Sequence, residues 1–138
     1  DGSLEPVRNW DIPGLAGAGA LRASANDLLK FLAAAIGLEA SPLAPAMAAM
    51  LATRRPTGQP GVDIALGWHI FKQGDDEIIT HSGGTGGYRT FIGYSIARRS
   101  GVVFAQPGRA FLATATAAET SSVLASATVP LCSPVAGL

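Results

Sequence analysis

Thr80-His81-Ser82-Gly83-Gly84-Thr85-Gly86-Gly87-Tyr88 is the stretch that decides the fold. The largely β-branched run Glu77-Ile78-Ile79-Thr80 leads into it, and the aromatic alternation Tyr88, Phe91, Tyr94 leads out. Between the flanks stand a histidine, a serine, a threonine and four glycines. Glycine has no Cβ, so a backbone rich in it can come close to another group. Several glycines directly after a strand therefore mark a place where something approaches the main chain. The plain alternative is a flexible glycine hairpin beside a chance His-Ser pair.

Working outward, strands surround this stretch. Upstream, Ile64, Leu66, Trp68 and Ile70 alternate with smaller or polar residues, which predicts one strand over Asp63–Phe71. Gly74-Asp75-Asp76 reads as a turn, so the strand Ile78–Ser82 returns antiparallel. Tyr88–Ile96 gives a third strand, Ala97–Gly101 a turn and Gly101–Ala105 a fourth strand. Three hairpin-type links in succession predict an antiparallel meander with helices covering at least one face, an α+β class.

Two helices precede the strands. Ser24 reads as an N-cap with Asp27 in the first turn, and Leu28, Leu29, Leu32, Ala35 and Ile36 recur at helical spacing before Gly37. Capping explains Ser24 better than a catalytic Ser-x-Asn triplet does. A second helix is predicted from Ser41-Pro42, with Pro45 in its first turn, an apolar stripe at Met47, Met50 and Leu51, and Pro56 as its stop. Residues 1–20, with Pro6, Pro13 and four glycines, read as loop.

Composition narrows the classes. Hydrophobic residues make up 48% of the 138 positions and charged residues 14%, enough apolar content for one domain with a real core. Ten basic and ten acidic residues cancel without a basic stripe, which argues against nucleic acid as a partner. The single cysteine, Cys132, excludes an internal disulfide. With His69 and His81 as the only histidines and no Cys-x-x-Cys, no metal or other cofactor is expected. No run reaches the roughly 18 apolar residues that cross a bilayer. The start at Asp1, without methionine or signal peptide, reads as a piece of a longer or processed chain. The expected organisation is a domain over 1–105 and an Ala/Ser/Thr-rich tail over 106–138, a weak helix or disordered.

Three segments in order carry a family resemblance: Gly19-Ala20-Leu21-Arg22-Ala23-Ser24-Ala25-Asn26-Asp27-Leu28, then Leu66-Gly67-Trp68, then His81-Ser82-Gly83 with its glycine-rich continuation to Tyr88. Over roughly residues 10–105 the chain resembles the C-terminal part of the serine β-lactamase and penicillin-binding-protein-like hydrolases. The nearest branch is that of the class C β-lactamases, D-alanyl-D-alanine carboxypeptidases and related esterases. The resemblance implies the β-lactamase/transpeptidase-like fold and acyl transfer on a β-lactam, D-alanyl peptide or ester, with no cofactor. It leaves the compartment open between bacterial periplasm, secretion and cytoplasm.

The same resemblance assigns roles. His81 stands where the family commonly has lysine, and histidine is the side chain whose charge changes near neutral pH. Ser82 would offer its hydroxyl to a substrate carboxylate or carbonyl. The N–H of Gly84 would be one of two oxyanion donors, and such donors contribute about 2.7–4 kcal/mol each. Gly83, Thr85 and Tyr88 would line the bound substrate. The family's nucleophile, the serine of Ser-x-x-Lys, does not occur: Lys30 and Lys72 have Asp27 and His69 three positions earlier. Tyr-x-Asn is missing as well, since Tyr88 and Tyr94 precede Arg89-Thr90 and Ser95-Ile96. In full-length members both motifs lie upstream, so the chain reads as a fragment, inactive alone.

Other readings stay open beside this one. A nucleophile elbow at Thr80–Gly84 would need glycine in place of Thr80 and a helix after the serine. A phosphate-binding glycine loop would need a following helix N-terminus and a lysine. A non-catalytic α+β domain would use an exposed sheet edge or uncovered apolar surface for binding or self-association.

Overall fold

In a computed structural model, described for residues 8, 10–85, 88–107 and 111–116, the helices precede a single antiparallel sheet. A short 3₁₀ turn at Pro13–Leu15 runs into the one-turn helix α1 (Ala16–Gly19), within the stretch expected to be loop. Helix α2 (Ala25–Ile36) begins and ends where the sequence predicts. The Asp27 N–H donates to Ser24 Oγ at 3.2 Å while the Ser24 N–H donates to Asp27 Oδ2 at 3.0 Å, a reciprocal cap. Gly37 closes the helix in the left-handed conformation. Helix α3 (Ala44–Ala52) starts slightly later than expected, because Pro42 and Leu43 form a turn in front of it.

The sheet is a seven-stranded meander in the order β1 (Arg55–Pro56), β2 (Val62–Ala65), β3 (Trp68–Gln73), β4 (Asp76–Thr85), β5 (Tyr88–Ser95), β6 (Ser100–Pro107), β7 (Phe111–Thr116). The α+β meander flanked by helices is thus as the sequence predicts, with three differences in detail. The single strand expected over Asp63–Phe71 is a hairpin, β2 and β3, turning at Leu66-Gly67 with Ala65 paired to Trp68. Gly67 has a φ of +76°, which an L side chain rarely adopts, so a glycine in an alternating pattern marked a turn here. The turn is anchored where the Leu66 N–H donates to the Met50 carbonyl of α3 at 3.3 Å. Strand β4 does not stop at Ser82 but runs through the glycines to Thr85. Finally, β6 extends to Pro107 and residues 111–116 form β7, within the stretch read as a tail. The tail reading of 117–138 lies outside the described residues.

One face of the sheet carries the core. Ile70, Ile79, Tyr94 and Val103 from β3 to β6 are buried with Leu29, Leu32 and Ile36 of α2. Alternation puts these strand residues on a common face, and the apolar stripe of α2 lies on it. The close approach of α2 depends on Gly101 in β6. A Cβ there would stand 3.0 Å from Leu32 Cδ1 and 3.2 Å from Ile36 Cδ1, so both side chains would have to give way slightly. The opposite face carries Ile64, Phe71 and Phe91, and these three side chains are at least one-third exposed.

Charged pairs tie the turns together. Arg54 reaches from the end of α3 to Glu77 of β4 at 2.7 Å, and Lys72 pairs with the buried Asp63 across β2 and β3 at 3.0 Å. Asp76 joins the β3–β4 turn to the β5–β6 turn. It accepts the Ser95 hydroxyl at 2.7 Å and the Glu77 N–H at 2.8 Å on Oδ1, and Arg98 Nε on Oδ2. The Ser95 hydrogen bond, followed by Arg98, holds the Asp76 carboxyl below its ordinary value.

A carboxylate with a lowered native pKa binds protons more readily in the unfolded state, so its contribution is complete above the ordinary value and is lost as pH falls through the native one. Chemical denaturation of the wild type should therefore show stability declining as pH drops below about 4. In Asp76→Asn the dependence on pH in that range should be shallower, and an unchanged slope would remove this role for Asp76.

Candidate functional site

The glycine-rich stretch is the distal half of β4 and its hairpin with β5. The register pairs His81 with Ile92, Ser82 with Phe91, Gly83 with Thr90, Gly84 with Arg89 and Thr85 with Tyr88. On its other side β4 pairs with β3, but that ladder ends at His69 opposite Thr80. Beyond Thr80, no described strand pairs with β4 on the β3 side, so the backbone of residues 82–85 presents a free edge there. His81, Ser82, Gly83 and Gly84 are all exposed. Sheet edges of this kind accept an extended chain or an acyl group through main-chain hydrogen bonds.

The two-residue period of a strand divides the predicted site residues between two faces. His81, Gly83 and Thr85, with Tyr88 opposite Thr85, lie on the face that α2 covers farther along the sheet. Ser82 and Gly84 lie on the other face. There Ser82 lines an open groove of about 510 Å³ with His69, Phe71, Gln73, Ile78, Thr80 and Phe91. The strand end thus brings the six residues together along the backbone and parts the His81 and Ser82 side chains. A ligand at the free edge would reach His81 from one side of the strand and the Ser82 hydroxyl from the other, with the Gly84 main chain between.

The reasons for the two central glycines differ. A Cβ on Gly83 would stand 3.0 Å from Thr90 Oγ1 across the hairpin, so a neighbouring side chain already claims that space. A Cβ on Gly84 would meet only the Tyr88 carbonyl at 3.8 Å, ordinary contact. Gly84 is therefore free of any packing demand among the described residues, as a backbone donor open to a ligand would be.

Sequence reasoning did not foresee three neighbours of the stretch. Trp68, the first residue of β3, meets the His81 ring edge-on, with centroids 6.5 Å apart and planes at 89°. The register set at the Gly74-Asp75 turn, with Gln73 opposite Asp76, is what puts Trp68 beside His81. His69 and Phe91 flank Ser82 on the open face, and a two-residue Gly86-Gly87 link between paired strands would have given that register. Among the described residues no cluster of His, Cys, Asp and Glu could hold a metal ion, and no helix is long and apolar enough to cross a membrane.

Compared with known proteins, residues 1–121 match a family model described as Beta-lactamase. No curated protein and no solved structure gives a match.

The glycine geometry yields a direct check. Gly83→Ala should lower the thermal midpoint, and replacing Thr90 with alanine in the same molecule should recover much of the loss. Gly84→Ala should leave the midpoint close to wild type. Equal effects of the two glycine substitutions would contradict the crowding at Thr90.

Proposed function

Because this chain belongs to the beta-lactamase family, we propose that it supplies the third-motif strand and oxyanion donor of a serine hydrolase acting on a β-lactam, D-alanyl peptide or ester. The observation that carries this reading is the exposed edge of β4 at Ser82–Gly84, which no described strand pairs on the β3 side, beside His81. Acyl transfer puts negative charge on the attacked carbonyl oxygen, and a fixed backbone N–H aimed at that oxygen stabilises it without reorganisation. In this reading the Gly84 N–H is that donor. Gly83 gives the substrate room along the strand, the Ser82 hydroxyl holds its carboxylate or carbonyl, and Thr85 and Tyr88 border it. His81 fills the position of the family's lysine.

The nucleophile and its base are not among these 138 residues, because the sequence holds no Ser-x-x-Lys. An oxyanion site without them retains only a small part of the catalytic effect. The chain alone is therefore inactive in this reading. Assayed with nitrocefin and p-nitrophenyl acetate, it should give no turnover above buffer, and Ser82→Ala should match it. Serine-dependent turnover with covalent labelling at Ser82 would replace this reading with a nucleophile at Ser82. In a polypeptide that also carries Ser-x-x-Lys and Tyr-x-Asn, His81→Ala should lower kcat/KM more than tenfold, about 1.4 kcal/mol. An unchanged kcat/KM would take His81 out of the chemistry.

A second reading, a non-catalytic α+β domain that self-associates, is favoured by Ile64, Phe71 and Phe91, exposed by 44%, 40% and 36% on one face of the sheet. Light scattering should then show oligomers that Phe71→Ser and Phe91→Ser dissolve. A monomer at all concentrations that binds no hydrophobic dye would dismiss it.

A further inference from the structure

We infer that Trp68 is a positioning residue that sets the orientation of the His81 imidazole; its functional meaning rests on the reading of His81 given above. The last pair of the β3–β4 ladder is His69 with Thr80, so one step on in an antiparallel register Trp68 faces His81. The indole meets the imidazole edge-on at 6.5 Å. No hydrogen bond or ion pair of the His81 side chain occurs among the described residues, so this ring contact is the one described interaction that restrains it. An exposed histidine without such a neighbour samples several staggered rotamers. A ring edge-on against it favours one of them.

Trp68 is itself immobilised, as a positioning group must be. It is buried, 8% exposed, although it is the first residue of its strand. Tyr94 of β5 meets it edge-on at 5.3 Å, and Phe31 of α2 lies parallel to it at 6.4 Å with the planes 10° apart. The indole is thus gripped from the sheet and from the helix, and His81 is the exposed outer member of the cluster. Rotation of His81 away from the indole would leave its ring in solvent beside the free edge of β4.

Nuclear magnetic resonance on this chain tests the inference without any turnover. Cross-relaxation should connect the His81 ring protons with the Trp68 indole protons, and carbon relaxation should show the His81 ring to be ordered. In Trp68→Leu the ring should become mobile and its shifts should move toward those of an unstructured peptide. Trp68→Phe, which keeps a ring at the site, should restore much of the order. Absence of the wild-type cross-relaxation, or an equally ordered His81 ring in folded Trp68→Leu, overturns the inference. If Trp68→Leu does not fold, Trp68→Phe decides: contact between the new phenyl ring and His81 supports the inference, and an ordered His81 without that contact overturns it. In the catalytically complete polypeptide, Trp68→Leu should lower kcat severalfold and have no further effect once His81 is alanine. An equal loss in the His81→Ala background overturns the inference, whereas the reading of His81 itself fails only if His81→Ala changes nothing.

Discussion

The distance between α2 and the sheet is the constraint on which the rest depends. Leu32 and Ile36 reach the sheet at Gly101, where even one added methyl would press on both side chains and on the Gly93 carbonyl. That approach goes with the complete burial of Leu32, Ile70 and Val103 and leaves Ile79 2% exposed. Protein interiors pack at crystal-like density, so a spacing set at one contact is carried to its neighbours. Phe31 rides on the same helix and reaches Trp68 only because α2 lies this low. The orientation of the aromatic cluster, and with it of His81, follows from a glycine about twenty residues downstream in sequence.

The end of β4 shows how a strand distributes chemistry. Successive side chains must go to opposite faces, so the adjacent residues His81 and Ser82 cannot serve one pocket on one face. They can serve one ligand only at an edge, where the substrate lies beside the strand and both side chains reach around it. The length of β3 decides whether such an edge exists. Because the ladder ends at His69, the glycines beyond Thr80 are left open.

Much of this was legible in the sequence where local rules act alone. Ser24, Asp27 and Gly37 delimit α2 through capping and a left-handed close, and both are decided within one turn of helix. The meander follows from turn residues between β-branched runs. The misreadings share a cause. Leu66-Gly67 breaks an alternating run and reverses its parity, so Ile64 faces away from the core that Trp68 and Ile70 enter, which alternation alone does not show. Gly83 and Gly84 look like loop, yet cross-strand partners hold them in β4, a tertiary pairing that overrides weak β propensity. The Ala/Thr-rich β7 is likewise a strand because β6 offers it an edge, not because of its own composition. The candidate residues His81 to Tyr88 were found by motif, but their division between faces needed the register.

The order of elements along the chain has a consequence for synthesis. Every strand pairs with its neighbour in sequence, so the sheet can grow by local hairpins as the chain emerges. Helix α2 precedes every strand in sequence, yet it packs on β5, β6 and β7, which come last among the described elements. Until Gly101 leaves the ribosome, the apolar stripe of α2 lacks most of the sheet on which it lies. A nascent chain halted before β6 would carry a complete amphipathic helix and most of a meander, joined through β5 and the Phe31–Trp68 contact but without the β6 and β7 surface. Such a chain exposes the surfaces that chaperones bind. The final strands therefore complete the surface against which α2 packs.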